Sequence, residues 1–239
     1  MNCGEFDKRN AEFEKNFTKK VFFRKLVNNN KNSPNGEGTV IIDVGAHKGE
    51  SAKFFNSILP EAKIYSFEPV PFLADQIERI NIKNNFVFTY ALSDFNGEAK
   101  FNVQDVSHLS SLHEINHNSV SSLGYHKKEE HEKITVDVMR GDTFIENKNL
   151  PKIDLLKIDV QANEVDTLKG FSGKLKKIKS IMVEVSLYDF YQQKSSVREI
   201  EEQLTGFELY DIYEISKNPK NLGTDWATFV YKNKQFQCI

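Results

Sequence analysis

The architecture of this chain follows from ten residues, Val40-Ile41-Ile42-Asp43-Val44-Gly45-Ala46-His47-Lys48-Gly49. The β-branched apolar run at 40–42 predicts a strand that is buried on both faces. The helical spacing of apolar residues over 51–59 predicts a helix directly after the turn. A strand, a glycine turn and a helix in this order point backbone N–H groups and a helix N-terminus at a ligand. Gly45 and Gly49 have no Cβ, so the backbone of the turn can approach that ligand closely.

From this unit onward, predicted strands and helices alternate along the chain. Such alternation requires crossover connections, so the sequence predicts an α/β fold with a mainly parallel, doubly wound sheet and helices on both faces. Residues 95–133 are predicted to be mostly irregular and polar. The further predicted strands are 63–67, 85–91, 134–139, 153–160, 178–185, 208–215 and 227–232, and the further predicted helices are 72–80, 164–168 and 197–204.

The N-terminal region has a different pattern. Phe13, Phe17 and Val21 recur at helical spacing, and the following run at 28–36 is rich in Asn and breaks the pattern. We therefore predict a helical arm with an Asn-rich linker over residues 1–37 and a main domain over residues 38–239. The arm is expected to pack on the main domain. It could instead form a lid or contact a second copy of the chain in a homo-oligomer.

Composition narrows the class of partner. The 239 residues carry a formal net charge of −2, which gives no general attraction to nucleic acid or to an anionic membrane surface. No apolar stretch approaches the roughly 20 residues that cross a bilayer. The two cysteines, Cys3 and Cys238, cannot form a disulfide framework. These features predict a cytoplasmic protein without nucleic acid or membrane partners.

Two carboxylates at neighbouring strand ends predict the cofactor. The spacing of Gly45 and Gly49 is Gly-x-x-x-Gly, which differs from the Gly-x-Gly-x-x-Gly turn that holds a pyrophosphate. Asp43 would repel a pyrophosphate but attract a cationic amino-acid group. Glu68, about 20 residues past the turn, is placed to accept hydrogen bonds from a ribose diol. An amino-acid end and a ribose together predict S-adenosylmethionine, with Asp43, Gly45, Gly49 and Glu68 as its ligands.

Further residues join this predicted cofactor site by their position. Ala46 lies within the glycine turn, and Pro69 follows Glu68 directly. Ser93 and Asp94 come at the end of the third predicted strand, where they could meet the adenine. An aspartate that only forms a turn would give the same pattern, so both interpretations of Asp94 stay open.

Several stretches follow one another along roughly residues 38–232. They are 40–49, Phe67-Glu68-Pro69, Ala91-Leu92-Ser93-Asp94 with Gly97, Ser110-Ser111-Leu112, 154–160 with Glu164, Leu168 and Gly170, and Val183-Glu184-Val185. In this order they resemble the FkbM family of methyltransferases. The resemblance implies a Rossmann-like class I methyltransferase fold for residues 38–239, S-adenosylmethionine as cofactor, and O-methylation of a sugar or another small molecule.

The chain departs from the family pattern at two places. Gln161-Ala162 stands where the family usually has Glu-Gly, and His47 stands where the family often has Asn. The first departure removes a carboxylate next to the expected active site. It leaves open a methyltransferase-like domain that binds without catalysing.

Three residues are predicted to carry the chemistry. A neutral hydroxyl is a poor nucleophile that gains from a nearby base, and Asp159 lies at the end of a predicted strand, where ligands bind in this fold. Glu184 ends the next strand and could face the same cleft. His47 in the turn is a further candidate base. Asp159 and Glu184 could together bind a divalent metal through oxygen, but we predict no metal. Lys157 is predicted to pair with a carboxylate.

A competing motif predicts a different enzyme class. His113-Glu114-Ile115-Asn116-His117 matches the H-E-x-x-H signature of zinc hydrolases, in which both histidines share one face of a helix. The flanking residues are rich in Ser and Asn, which are mediocre helix formers. We therefore favour a chance match over a zinc-dependent hydrolase.

Overall fold

The structure is a computed structural model that describes Phe23, Leu26 and residues 35–104, 107–116, 131–217 and 222–236. Strands dominate its centre, and helices connect most of them. The strands are β1 (Val40–Val44), β2 (Lys63–Phe67), β3 (Asn85–Phe88), β4 (Ala91–Ser93), β5 (Gly97–Gln104), β6 (His131–Arg140), β7 (Leu155–Ile158), β8 (Ser180–Ser186), β9 (Phe207–Lys217) and β10 (Thr224–Asn233). The α-helices are α1 (Glu50–Ile58), α2 (Pro71–Ile80), α3 (Gly141–Asn147), α4 (Glu164–Gly170) and α5 (Val197–Gln203), and short 3₁₀ segments occupy Ser107–Leu109, Ser172–Lys177 and Lys234–Phe236.

Seven strands form the central sheet in the order β3-β2-β1-β7-β8-β10-β9. The first five are parallel to one another, and β10 pairs antiparallel with both β8 and β9. The predicted Rossmann-like, mainly parallel, doubly wound sheet is therefore confirmed. The strand order reverses between β1 and β7, and in such sheets ligands bind at this switch point, beyond the carboxyl ends of the strands.

Two apolar cores cover the two faces of this sheet. Successive residues of a strand point to opposite faces, so Ile42 packs in one core and Ile41 in the other. The core on the Ile41 side includes Phe55 of α1. Phe23 and Leu26, the described residues of the predicted arm, are helical and buried in this same core. The rest of the predicted arm lies outside the described residues, and the division at residue 37 stays a prediction.

A second sheet of three strands, in the order β4-β6-β5, corrects the prediction for residues 95–133. That prediction was wrong for 97–104, which form β5, and it ended the region two residues after β6 begins. Phe101 and Val136 lie in a small core with Leu73 of α2. The apolar residues of β5 alternate with polar ones, which is a strand signal. The charged residues between them masked that signal in the sequence.

Two smaller boundaries also differ from prediction. The third predicted strand ends at Phe88, and Ala91–Ser93 form the separate strand β4 that pairs parallel with β6. Helix α3 was missed because Phe144 and Ile145 are its only large apolar residues, and two adjacent residues show no helical spacing. Within the described residues, no helix has the length and apolar character needed to cross a bilayer.

Candidate active site

The main cavity lies at the carboxyl ends of β1, β2 and β7 and has a volume of about 390 Å³. This is the switch point of the sheet, where the fold predicts a ligand. Its walls come from the turn after β1, the end of β2, the entry to β4, the segment after β7 and the region around Ser107–Leu109. The lining residues include Gly45, Ala46, His47, Phe67, Glu68, Pro69, Tyr90, Ala91, Leu92, Phe101, Lys157, Asp159, Gln161, Glu184 and Trp226.

The turn after β1 is tied to the end of β2. The N–H groups of Gly45 and Ala46 both donate to the carbonyl of Phe67, at 3.0 and 2.9 Å. Gly45 has φ 78°, and a Cβ at this position would lie 1.8 Å from the carbonyl oxygen of Asp159. Glycine is therefore required here because the turn closely approaches the end of β7. Gly49, by contrast, precedes α1 and faces Ile77 and Ile80 of α2, so it does not line the cavity.

Glu68 holds the cavity wall with both carboxylate oxygens. One oxygen accepts the N–H of His47 at 2.9 Å, and the other accepts the N–H of Val70 at 3.0 Å. Burial raises the pKa of Glu68 to about 7, although these two backbone donors oppose the shift. A carboxylate oxygen has a second lone pair, so Glu68 retains acceptor capacity for a ligand. The structure therefore brings Glu68 and the glycine turn together, as the sequence predicts.

Asp43 lies elsewhere than predicted. Its side chain has no exposed surface and does not line the main cavity, although it points to the same sheet face as Lys157. The two residues are neighbours in the parallel register of β1 and β7. The ammonium of Lys157 is 3.1 Å from one Asp43 oxygen, yet within the described structure neither oxygen accepts a well-formed hydrogen bond. Asp43 is thus the buried half of an ion pair whose other half reaches the cavity.

Lys157 connects this ion pair to the predicted catalytic residue. Its ammonium is also 3.5 Å from an oxygen of Asp159. Burial alone would lower the pKa of Lys157, but the charges of Asp43, Asp159 and Glu184 outweigh burial and raise it. Lys157 is therefore a fixed positive charge at the cavity, and the carboxylate pair predicted for it is present.

Asp159 and Glu184 meet through Gln161. The side-chain amide nitrogen of Gln161 donates to Asp159 at 3.0 Å and to Glu184 at 3.2 Å. The amide oxygen of Gln161 accepts the hydroxyl of Tyr191 at 3.1 Å, which fixes the direction of the amide. The amide nitrogen of Gln161, a hydrogen-bond donor, thus occupies the position that a cation would need in order to bridge the two carboxylates. Among the described residues, no group of three His, Cys, Asp or Glu side chains could hold a metal ion.

The position of Gln161 was not predicted from the sequence. The sequence shows only that a carboxylate is missing from the family pattern at this place. The structure shows that an amide donor replaces it and joins two carboxylates on different strands. Gln161 and Ala162 have φ 54° and 84°, in the left-handed region that glycine favours. The departure from the usual glycine therefore places a strained alanine directly after Gln161.

His47 lines the cavity with a neutral ring. Its Nε2 lies 2.7 Å from the hydroxyl of Ser107, and its Nδ1 lies 3.7 Å from a carboxylate oxygen of Glu50. Burial lowers the pKa of His47 and outweighs the nearby charge of Glu50. A neutral imidazole held in this way can accept a proton, which keeps the predicted base role as a candidate.

Ser93 and Asp94 are not brought to the cavity. Strand β4 pairs with β6 in the second sheet, and neither of these two residues lines the main cavity. Ser93 is buried, and the side-chain amide of Asn163 lies 3.4 Å from its hydroxyl. The cavity is lined instead by the residues just before them, Tyr90, Ala91 and Leu92. A predicted contact between the adenine and this region therefore shifts toward the entry of β4.

The zinc motif does not form the helix it requires. Residues 113–116 are bends and extended chain, and Ile115 forms an isolated bridge with Tyr191. His113, the described histidine of the motif, therefore does not lie in a helix. His117 lies outside the described residues. The geometry of these four residues does not support a zinc-dependent hydrolase.

The raised pKa values predict how stability depends on pH. Burial and the charge of Asp159 raise the pKa of Glu184 to about 8, against the opposing effect of Lys157. An unfolded glutamate has a pKa of about 4.3, so the folded state binds a proton that the unfolded state releases. The stability from this proton is complete below about pH 4 and is lost as the pH rises toward 8. We therefore expect the free energy of unfolding to fall by up to about 5 kcal/mol over that interval.

Urea unfolding at several pH values measures this effect. Glu184→Gln keeps the side-chain shape but cannot titrate, so its stability should change less with pH than that of the unmodified protein. Glu98→Gln, at an exposed position on β5, is the matched control and should keep the original slope. Equal pH dependence in all three proteins would contradict the assignment.

Comparisons with known proteins identify the family of this chain. The family described as Methyltransferase FkbM domain matches residues 43–210. 2-O-methyltransferase NoeI from Sinorhizobium fredii is 28% identical over 182 residues, which cover 71% of this chain and 72% of NoeI. Hexuronic acid methyltransferase AglP from Haloferax volcanii is 24% identical over 155 residues, covering 62% of this chain and 56% of AglP.

A weaker similarity to a solved structure is also found. Magnesium protoporphyrin IX methyltransferase (ChlM) from Synechocystis, with bound SAM, gives a TM-score of 0.49 and 10% identity over 90% of this chain and 74% of that one. The family match spans the glycine turn, Glu68 and Asp159 of the cavity, and the whole of α4 and α5. This chain belongs to the FkbM family of methyltransferases.

Proposed function

We propose that this chain transfers a methyl group from S-adenosylmethionine to a hydroxyl oxygen of a sugar or another small molecule. The observation that carries the proposal is that Glu68 and Asp159, at the ends of β2 and β7, line one cavity beside the glycine turn. The relatives NoeI and AglP support an acceptor of this kind, since their names state a 2-O-methyltransferase and a hexuronic acid methyltransferase.

The residues of the main cavity fit the parts of this cofactor. Glu68 offers acceptor oxygens for the ribose hydroxyls. Leu92 and Phe101 provide an apolar wall for the adenine. Asp43 contributes indirectly, because its ion pair fixes the ammonium of Lys157 beside Asp159.

The chemistry requires one proton acceptor from the protein. S-adenosylmethionine, when bound, supplies an electrophilic methyl group whose bond to sulfur breaks as the acceptor oxygen bonds to the carbon. Asp159 accepts the proton that the acceptor hydroxyl loses, so a methyl ether, a neutral thioether and a protonated carboxyl result. Lys157 and Gln161 hold Asp159 in place. Positioning of this kind supplies a large part of the rate in displacement reactions.

Replacing Glu68 tests the cofactor assignment. Glu68→Ala should weaken binding of S-adenosylhomocysteine by about 2 kcal/mol, or roughly 30-fold, because hydrogen bonds to a charged acceptor are lost. Isothermal titration calorimetry measures the dissociation constant directly. Glu78→Ala, an exposed position on α2, is the control and should bind as the unmodified protein does. Unchanged affinity in Glu68→Ala would contradict the ribose contact.

A screen of acceptors tests the reaction itself. The protein is incubated with S-adenosylmethionine labelled in its methyl group and with a panel of sugars and nucleotide sugars. Transfer of label to a hydroxyl of one class supports the proposal. Tight binding of S-adenosylhomocysteine without transfer to any acceptor would favour a binding domain that has lost catalysis.

A further inference from the structure

A second cavity, here called the side cavity, adjoins the main one on the sheet face covered by α1. Its volume is about 260 Å³. It shares Glu50, Ser51, Lys157, Asp159 and Glu184 with the main cavity, so the two hollows meet at the proposed base. A molecule in the side cavity would therefore present its atoms to Asp159.

The sizes of the cavities decide which one can take the acceptor. Pockets for drug-sized ligands measure about 300–1,000 Å³, so the main cavity at about 390 Å³ has room for the cofactor but little beyond it. A third hollow near Tyr188 and Phe190 has only about 60 Å³, about the share of two water molecules in the liquid. Of these three cavities in the described part of the chain, the side cavity is the one that leaves room for a sugar ring beside the cofactor.

One wall of the side cavity is aromatic and rigid. Phe23, Phe54, Phe55 and Tyr213 line it. The Phe23 ring packs edge-on against Phe54 at 5.1 Å and against Tyr213 at 5.5 Å between centroids. Such rings offer a large apolar surface at low conformational cost, and the C–H face of a sugar ring matches that surface.

The other wall is acidic. Four carboxyl groups line the side cavity, those of Glu50, Asp159, Glu184 and Glu214. Lys157 is the single Lys or Arg among the described lining residues, and its charge is already paired with Asp43 at 3.1 Å. Carboxyl groups accept hydrogen bonds from the hydroxyls of a ligand. A ligand that carries an anionic group would be repelled by the negative charges of this wall.

We propose that the side cavity binds the methyl acceptor and selects an uncharged, hydroxyl-bearing ring over one that carries a carboxylate or phosphate. The proposal rests on the proposed function and narrows it. The aromatic wall packs on the apolar face of the ring, and the carboxyl groups receive its hydroxyls. One hydroxyl then lies at Asp159, where the two cavities join.

The experiment first separates this inference from the proposed function. Calorimetry establishes whether S-adenosylhomocysteine binds. With that ligand saturating, saturation-transfer NMR titrations compare methyl glycosides of glucose, galactose and mannose with the matched methyl glycosides of glucuronic and galacturonic acid. We expect at least one neutral glycoside to bind at least about tenfold more tightly than every uronate, because anions meet like charge in the cavity.

Two tyrosine variants locate the binding site. Tyr213→Leu should weaken binding of the neutral glycoside at least about fivefold because it removes an aromatic face, while affinity for S-adenosylhomocysteine stays unchanged. Tyr210→Leu is the control, since Tyr210 lies on the same strand, is 48% exposed and does not line the side cavity. This variant should bind as the unmodified protein does.

Each outcome has one meaning. If S-adenosylhomocysteine does not bind, the proposed function is overturned. If it binds but no neutral glycoside does, or if a uronate binds as tightly as the neutral sugars, this inference alone is overturned. An unchanged glycoside affinity in Tyr213→Leu would likewise place the acceptor outside the side cavity.

Discussion

Lys157→Met is expected to lower the free energy of unfolding by about 3–5 kcal/mol, since removing one partner of a buried ion pair leaves the other charge buried and uncompensated. Asp43 has no exposed surface, and the Lys157 ammonium is 3.1 Å from its carboxylate. Methionine fills a similar volume, so the loss comes from charge rather than from a cavity. Urea unfolding of the variant and the unmodified protein measures the difference.

The pH dependence of that loss identifies its cause. Burial already raises the pKa of Asp43 against the opposing charge of Lys157, and removal of the ammonium raises it further. The folded variant then holds a proton that the unfolded chain releases above about pH 4, so the destabilisation should shrink below that pH and grow above it. If the loss of stability were independent of pH, packing rather than the uncompensated charge of Asp43 would be responsible.

Two further variants control this experiment. Asp43→Asn combined with Lys157→Met removes both charges and should recover much of the lost stability. Lys83→Met breaks the ion pair with Glu61, in which the lysine side chain is 63% exposed. This exposed pair should contribute at most about 1 kcal/mol. If Lys83→Met lowered the free energy of unfolding as much as Lys157→Met does, burial of the ion pair would not explain the effect.

Asp159→Asn should reduce the rate of methyl transfer by about 10²–10⁴, the range that a positioned general base supplies. The asparagine keeps an acceptor oxygen for the amide of Gln161, which now lies 3.0 Å from Asp159. Affinity for S-adenosylhomocysteine should change by less than about threefold, because the proton transfer occurs only in the reaction. Single-turnover kinetics with an acceptor from the screen measure the chemical step.

The matched control for this prediction is Asp166→Asn. Asp166 lies on α4 and pairs with Lys169 at the surface, at 2.7 Å. Its replacement should leave both rate and affinity unchanged. If Asp159→Asn lost cofactor affinity and rate by the same factor, Asp159 would bind the cofactor rather than act on the acceptor.

Some of the site could be read from the sequence because its geometry is local or is fixed by the fold class. The glycine turn and Glu68 lie at the ends of consecutive parallel strands, and such ends meet at one edge of the sheet. The approach of Gly45 to the Asp159 carbonyl requires glycine, and this is the kind of position that a glycine in a strand-turn-helix unit marks. Prediction succeeded where strand order alone brings residues together.

Other parts of the site depend on register and on distant strands. Asp43 pairs with Lys157 because the two are neighbours across β1 and β7, and no pattern in either strand states that register. Trp226 and Tyr213 reach the two cavities from β10 and β9. Their sequence surroundings carry no motif.

The sequence by itself therefore determined the α/β class, the alternation of strands and helices in a mainly parallel sheet, and the family. Periodicity and turn chemistry act over a few residues at a time, so a local pattern is enough to reveal these features. The tertiary structure decided which carboxylates face a ligand. In that structure Asp43 forms an ion pair with Lys157, and Ser93 lies in β4, which pairs with β6. The side-chain amide of Gln161 lies between Asp159 and Glu184. These outcomes depend on side-chain burial and on charge pairs formed across strands far apart in the chain, which local patterns do not encode.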